Sequence, residues 1–232
     1  MKKYLVALFF CLLLLLCFSS STFARAYIGV ELHAGGIANV SYAPALLEAG
    51  VYGGYTFSDN FSLGAECFYG RLLPTKAVYK TYSDSILFSV VATLKFLNSD
   101  IIKLDGSVAF FYQLDSSISI TSNSTLSSEI TSFGAGFRLQ LTTTVSPKFD
   151  IFAYYSGTPV INSCPEYTVL TGVVNSYSIF FGHIVGIGLD YHHSNNLTYG
   201  LSGGFSWKTS KDIYSNSDAF LYYIKLKATY TF

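Results

Sequence analysis

Residues Tyr222 to Phe232 read YYIKLKATYTF and alternate strictly. A period of two places Tyr222, Ile224, Leu226, Ala228, Tyr230 and Phe232 on one face of a strand. Lys225, Lys227, Thr229 and Thr231 fall on the other. Such a strand needs an apolar environment on one side and water on the other, and a soluble sandwich or a membrane barrel could each supply that.

The same parity runs through the chain. Ile28, Val30 and Leu32 oppose Glu31 and His33; Phe61, Leu63, Ala65 and Tyr69 oppose Glu66. Ile86 to Phe96, taken every second residue, oppose Lys95, and Ile102, Leu104, Val108 and Phe110 oppose Lys103 and Asp105. Phe133, Phe137, Leu139 and Leu141 oppose Arg138 and Gln140. Phe149 and Ile151 oppose Asp150, and Val185, Ile187 and Leu189 oppose Asp190 and His192. No mid-strand charge breaks the rule. A soluble sandwich would turn the apolar face inward and cover its exterior with many Lys and Glu. Charged residues are only 12% of this chain against about 25% in soluble domains. With 19 Tyr and 20 Phe, the chain needs lipid for its apolar face.

The N-terminal stretch MKKYLVALFFCLLLLLCFSSSTFARA supports export. Lys2 and Lys3 precede an uncharged run from Tyr4 to Phe18 and then Ala24-Arg25-Ala26, the three parts of a secretory signal peptide. Cleavage is expected after Ala26, leaving residues 27–232 as one barrel domain. The apolar run is shorter than the roughly 18 to 20 residues of a spanning helix. Losing Lys2, Lys3 and Arg25 leaves 11 basic residues against 14 acidic, so the mature chain is slightly acidic and a nucleic-acid partner is not expected. Of the cysteines that remain, Cys67 lies on the apolar face and Cys164 in a polar stretch, and whether they pair is open.

Short turn clusters at Ser58-Asp59-Asn60, Asn98-Ser99-Asp100, Ser146-Pro147-Lys148 and Ser194-Asn195-Asn196 alternate with longer polar stretches, clearest at Asp115–Glu129 and Ser156–Ser176. Ten strands are predicted, at 27–36, 47–57, 61–71, 84–97, 101–113, 130–143, 149–157, 178–192, 197–208 and 218–232, with eight as the alternative count. The fold class is therefore all-β: a transmembrane antiparallel up-and-down barrel with short periplasmic turns and longer extracellular loops. Aromatics gather at both rims, Phe57, Phe61, Phe96, Phe149, Tyr230 and Phe232 at one and Tyr69, Tyr112, Trp207, Phe220 and Tyr222 at the other.

With its leader, alternating meander and final strand ending YTF, the chain resembles the small single-chain outer-membrane β-barrels of Gram-negative-type bacteria, the broad OmpA, OmpW and opacity-protein grouping. The resemblance covers residues 27–232. It implies that Tyr222, Ile224, Leu226, Ala228, Tyr230 and Phe232 form the signal read by the barrel assembly machinery.

Parity places Glu31, Glu66, Asp105, Asp150 and Asp190 in the lumen with Lys95, Lys103, Arg138, Lys225 and Lys227. Five acids against five bases should form an ion-pair ladder, because unpaired charges in a narrow interior are costly. Closure of the sheet sets the last strand beside the first, and a Glu31–Lys227 contact is expected across that seam. The ladder suits either a narrow pore for small solutes or a filled lumen under a surface scaffold whose loops bind host molecules. His33, His183, His192 and His193 show no convergence on a nucleophile, so no catalytic, metal or cofactor site is expected.

Overall fold

The structure, a computed structural model, describes residues 25–38, 45–73, 80–120, 125–168, 172–210 and 220–232. Ten strands follow one another: β1 (Arg25–Ala38), β2 (Ala45–Ser58), β3 (Phe61–Leu73), β4 (Lys80–Asn98), β5 (Ile102–Ile120), β6 (Thr125–Ser146), β7 (Phe149–Thr168), β8 (Gly172–His192), β9 (Leu197–Ser210) and β10 (Phe220–Thr231). Each pairs antiparallel with its chain neighbours, and β10 pairs with β1, so the sheet closes as an up-and-down barrel. Closure satisfies the backbone without an edge, which is what allows strands to stand in lipid.

The final strand is paired to its end. Thr231 N–H donates to the Asn196 carbonyl at 2.8 Å, and Phe232 N–H donates to the Ala26 carbonyl at 2.8 Å. β1 thus begins two residues before the expected mature start, with Arg25 opposite Thr56. Residues 1–24 lie outside the described part of the chain. Three of the tight hairpins carry a register shift beside the turn, at Thr56/Ser58, Lys95/Leu97 and Thr144/Ser146. Such bulges tighten local twist where the chain reverses.

Two polar stretches read as loops are largely strand. β5 and β6 stay in register up to Ile120 opposite Thr125, and β7 and β8 up to Thr168 opposite Gly172. Apolar alternation fades where a wall leaves the membrane, but backbone pairing continues, and β-branched Thr and Ile sustain it. Of the two cysteines, the Cys164 side chain lies outside those described.

The inner and outer faces differ as the parity predicts. Along β7, Asp150 and Phe152 are 6% and 3% exposed, whereas Ile151 between them is 49% exposed. The outer face carries an apolar belt running round the barrel, from Val30 and Leu32 through Phe110 and Leu139 to Ile187 and Ile224. A belt of that extent is a lipid-facing surface. Its rims are aromatic. Phe57 stacks on Phe61 at 5.8 Å and Tyr230 meets Phe232 edge-on at 5.0 Å near the short turns, while His183 stacks on Trp207 at 5.0 Å toward the other end.

Candidate functional site

Every large aromatic of the inner wall described here has a glycine beside it on a neighbouring strand. Tyr52 lies opposite Gly29, Phe68 opposite Gly50, Phe111 opposite Gly134, Phe152 opposite Gly188, Tyr154 opposite Gly186 and Tyr223 opposite Gly204. A Cβ at Gly186 would stand 2.7 Å from the Tyr154 ring, and one at Gly204 would stand 2.6 Å from the Tyr223 hydroxyl. The rings therefore lie along the wall, over bare backbone, rather than across the bore. Two pairs are latched to each other: the hydroxyls of Tyr154 and Tyr223 are in contact, as are those of Tyr52 and Thr229.

The charges expected in the lumen are all on inward-facing positions, but their partners are not all those expected. Glu31 and Lys227 are directly opposed across the β1–β10 seam. Glu31 nevertheless takes the ammonium of Lys225, at 2.5 Å, and Lys227 pairs with Asp190 at 2.9 Å. The expected Glu31–Lys227 ion pair is thus replaced by two others, for a local reason. Gly200 lies between Lys227 and Asp190 in the ladder, and a Cβ there would sit 2.5 Å from Asp190 Oδ1. Without it, Lys227 reaches across β9 to β8. Glu31, left to its diagonal neighbour, takes Lys225.

Around this seam the network is dense. His33 meets Glu31 at one ring nitrogen and Glu48 at the other, the latter at 2.8 Å. Near the short turns, Asp150 receives Lys103 at 3.4 Å and His192 at 3.2 Å. The remaining ladder members behave differently. Among the described residues, Glu66, Lys95, Asp105 and Arg138 form no ion pair within 4 Å, although Lys95 and Asp105 are opposed in register. Glu66 accepts one hydrogen bond from Ser89 at 2.9 Å. The Arg138 guanidinium donates to Gln140 at 2.6 Å and lies 4.0 Å over the Tyr154 ring, while its buried Nε has no protein partner.

Two cavities lie in the lumen among the described residues. One, of about 300 Å³, reaches Thr56 and Thr231 near the short turns. The other, of about 650 Å³, reaches Gln113 and Val160 toward the opposite end. Tyr27, Tyr52, Glu66, Arg138 and Gln140 line both, and so form the neck where they meet.

No family model matches the chain, and no curated protein matches it. Among solved structures, the β domain of the Bordetella autotransporter BrkA is similar with a TM-score of 0.56 at 8% identity, over 90% of this chain and 100% of that one. The translocator domain of the autotransporter NalP from Neisseria meningitidis gives 0.50 at 11% identity, over 99% of this chain and 96% of that one. The likeness is one of fold. The chain has the architecture of the small outer-membrane β-barrels.

Sequence reasoning named ten lumen charges, of which Glu31, Lys103, Asp150, Asp190, Lys225 and Lys227 take part in ion pairs, but it did not name Glu48, nor the inward aromatics Tyr52, Phe152, Tyr154 and Tyr223. The signal for each was the parity already in use: Phe152 and Tyr154 share Asp150's face, and Tyr223 shares that of Lys225. His183, by contrast, is on the outer wall as its parity requires, with the Tyr155 hydroxyl 2.9 Å from its Nδ1. In the final strand, Tyr222, Ile224, Leu226, Tyr230 and Phe232 all face outward and exposed, with Ala228 on the same face.

Proposed function

We propose that the protein is exported with cleavage of residues 1–26, is inserted in the bacterial outer membrane, and serves there as a narrow aqueous conduit for small solutes. The observation that carries this reading is the pair of lumen cavities sharing one polar neck. A ten-stranded barrel falls between eight-stranded barrels, filled by side chains, and sixteen-stranded open porins, so how its inner side chains are disposed decides whether a path exists. Here aromatic rings fold onto glycines and the seam charges pair along the wall, which keeps bulk away from the axis.

A surface-scaffold role is favoured by a separate observation, the continuation of the β5–β6 and β7–β8 hairpins as paired strands beyond the lumen cavities. Stiff hairpins present their tips with little loss of entropy on binding a host surface molecule.

Single-channel recording of the refolded mature chain in a planar bilayer tests the conduit, after heat-modifiable gel migration has shown that it is folded. Stable current steps altered by Glu31→Gln and Lys225→Met are expected. A folded barrel that passes no current overturns the conduit and leaves the hairpin tips as the place to look. For the assembly machinery, Phe232→Ser should lower the amount of barrel in the outer membrane of cells while leaving detergent refolding intact. Equal loss in both settings would assign Phe232 to stability instead.

A further inference from the structure

The lumen holds charges of two kinds. Glu31 and Asp190 are each neutralised by a lysine within 3 Å of their carboxylates. Glu66 and Arg138, at the neck, line both cavities without an ion-pair partner among the described residues. Arg138 is fixed in orientation by Gln140 and by the Tyr154 ring, and its Nε remains buried and unmatched. A second atom is in the same condition: Asp105 Oδ1, buried, without a protein partner, and facing the larger cavity. Buried ionic groups left unmatched are costly, and they persist where something other than the protein satisfies them.

The two neck charges cannot satisfy each other directly. Glu66 stands on β3 and Arg138 on β6, three strand spacings or about 14 Å across the wall, and the register that carries Glu66 through Ser89 and Phe111 to Gly134 leaves Arg138 four residues, about 13 Å, further along β6. Extended inward, the two side chains shorten that gap without closing it. What fits between is a molecule carrying a carboxylate for the guanidinium and an ammonium for the carboxylate.

We infer that the neck is a subsite for small zwitterions of amino-acid type, with Arg138 and Gln140 receiving the carboxylate and Glu66 the ammonium. This rests on the conduit reading and names its solute class. Guanidinium–carboxylate pairing supplies directional, charge-assisted hydrogen bonds, and Glu66 supplies the complementary acceptor. A simple cation or anion would meet one partner and one like charge. A neutral molecule of the same size would leave both unmatched.

Proteoliposome swelling with the full mature chain tests this, using L-alanine against lactamide, a neutral solute of nearly equal size. Alanine should enter about tenfold faster at low concentration, the value of one charge-assisted hydrogen bond, and its flux should saturate. Glu66→Gln and Arg138→Gln should each bring the ratio of alanine to lactamide entry to about one, with heat-modifiable migration showing that the barrel is folded. Arg138→Lys, which keeps the charge, should retain part of the preference and serves if the Gln variant fails to fold. Equal entry of both solutes through a conducting barrel, or a preference that survives both Gln variants, overturns the zwitterion subsite and leaves the conduit standing. Failure of every solute to enter through a folded barrel overturns both.

Discussion

The two sides of the lumen carry similar residues and treat them in opposite ways. On the seam side, formed by β8, β9, β10, β1 and β2, charges interlock: Lys225 with Glu31, Lys227 with Asp190, and His33 between Glu31 and Glu48. On the side formed by β3 to β6, Glu66, Lys95, Asp105 and Arg138 stand apart, separated by Ser89, Thr93 and Ser107, and of the ladder charges there only Lys103 reaches a partner, Asp150 on β7. Thr93 and Ser107 bond to each other at 2.9 Å, small hydroxyls joined across β4 and β5. The seam joins the two ends of the chain, where pairing spans the greatest sequence separation, so ion pairs there help fix closure. The opposite side closes through local hairpins and can leave its charges available to solutes.

That contrast can be broken from either side. The largest effect is expected from Lys225→Met, which leaves Glu31 without its ammonium in a lumen of restricted water. Stability should fall by roughly 3 kcal/mol, read as a lower urea midpoint for the refolded barrel. Glu31→Gln added to that variant should recover part of the loss, and if it does not, the pair is not what holds the seam. Next comes Gly200→Ala, whose Cβ would stand 2.5 Å from Asp190 Oδ1 and 2.6 Å from Lys227 Cγ. It should cost about 2 kcal/mol by overpacking, on the same urea assay. Gly186→Ala should cost about 1 kcal/mol and, by lifting the Tyr154 ring from the wall, should reduce single-channel current more than it reduces stability. Unchanged current would mean that the ring does not border the path. Smallest in stability is Glu66→Gln, expected within about 0.5 kcal/mol of the parent because no ion pair is lost. A larger drop would place Glu66 with the seam charges as a structural element.

Much of the barrel was legible in the sequence because lipid imposes a simple rule. A charge on the outer face is costly, so parity alone separates wall from lumen, and ten alternating runs gave ten strands. The rule weakens where lipid ends. Ser116 to Ile120 and Thr125 to Glu129 carry only Ile118, Ile120 and Leu126 among serines and other polar residues, so a paired hairpin looked like a loop. It is also silent about aromatics, which suit either face. Tyr154 and Tyr223 look like girdle residues until the glycines opposite them are counted. Individual ion pairs were harder still. Directly opposed residues were predictable at the seam, but the reach of Lys227 past Gly200 depends on one missing methyl group on the strand between Lys227 and its target.

The pairing of rings with glycines bears on how such a barrel finds its alignment while assembling. Alternation of apolar and polar residues penalises a slip of one position, because every side chain changes face. A slip of two restores the faces and goes unpunished by lipid. Moved by two, however, Tyr154 and Phe152 would meet Gly188 and Asp190, or else Ile184 and Gly186, so one ring of the two loses its glycine in either direction. Repeated round the barrel, the ring and glycine positions act as a key with few matching settings. They select one register among those that hydrophobicity alone would accept.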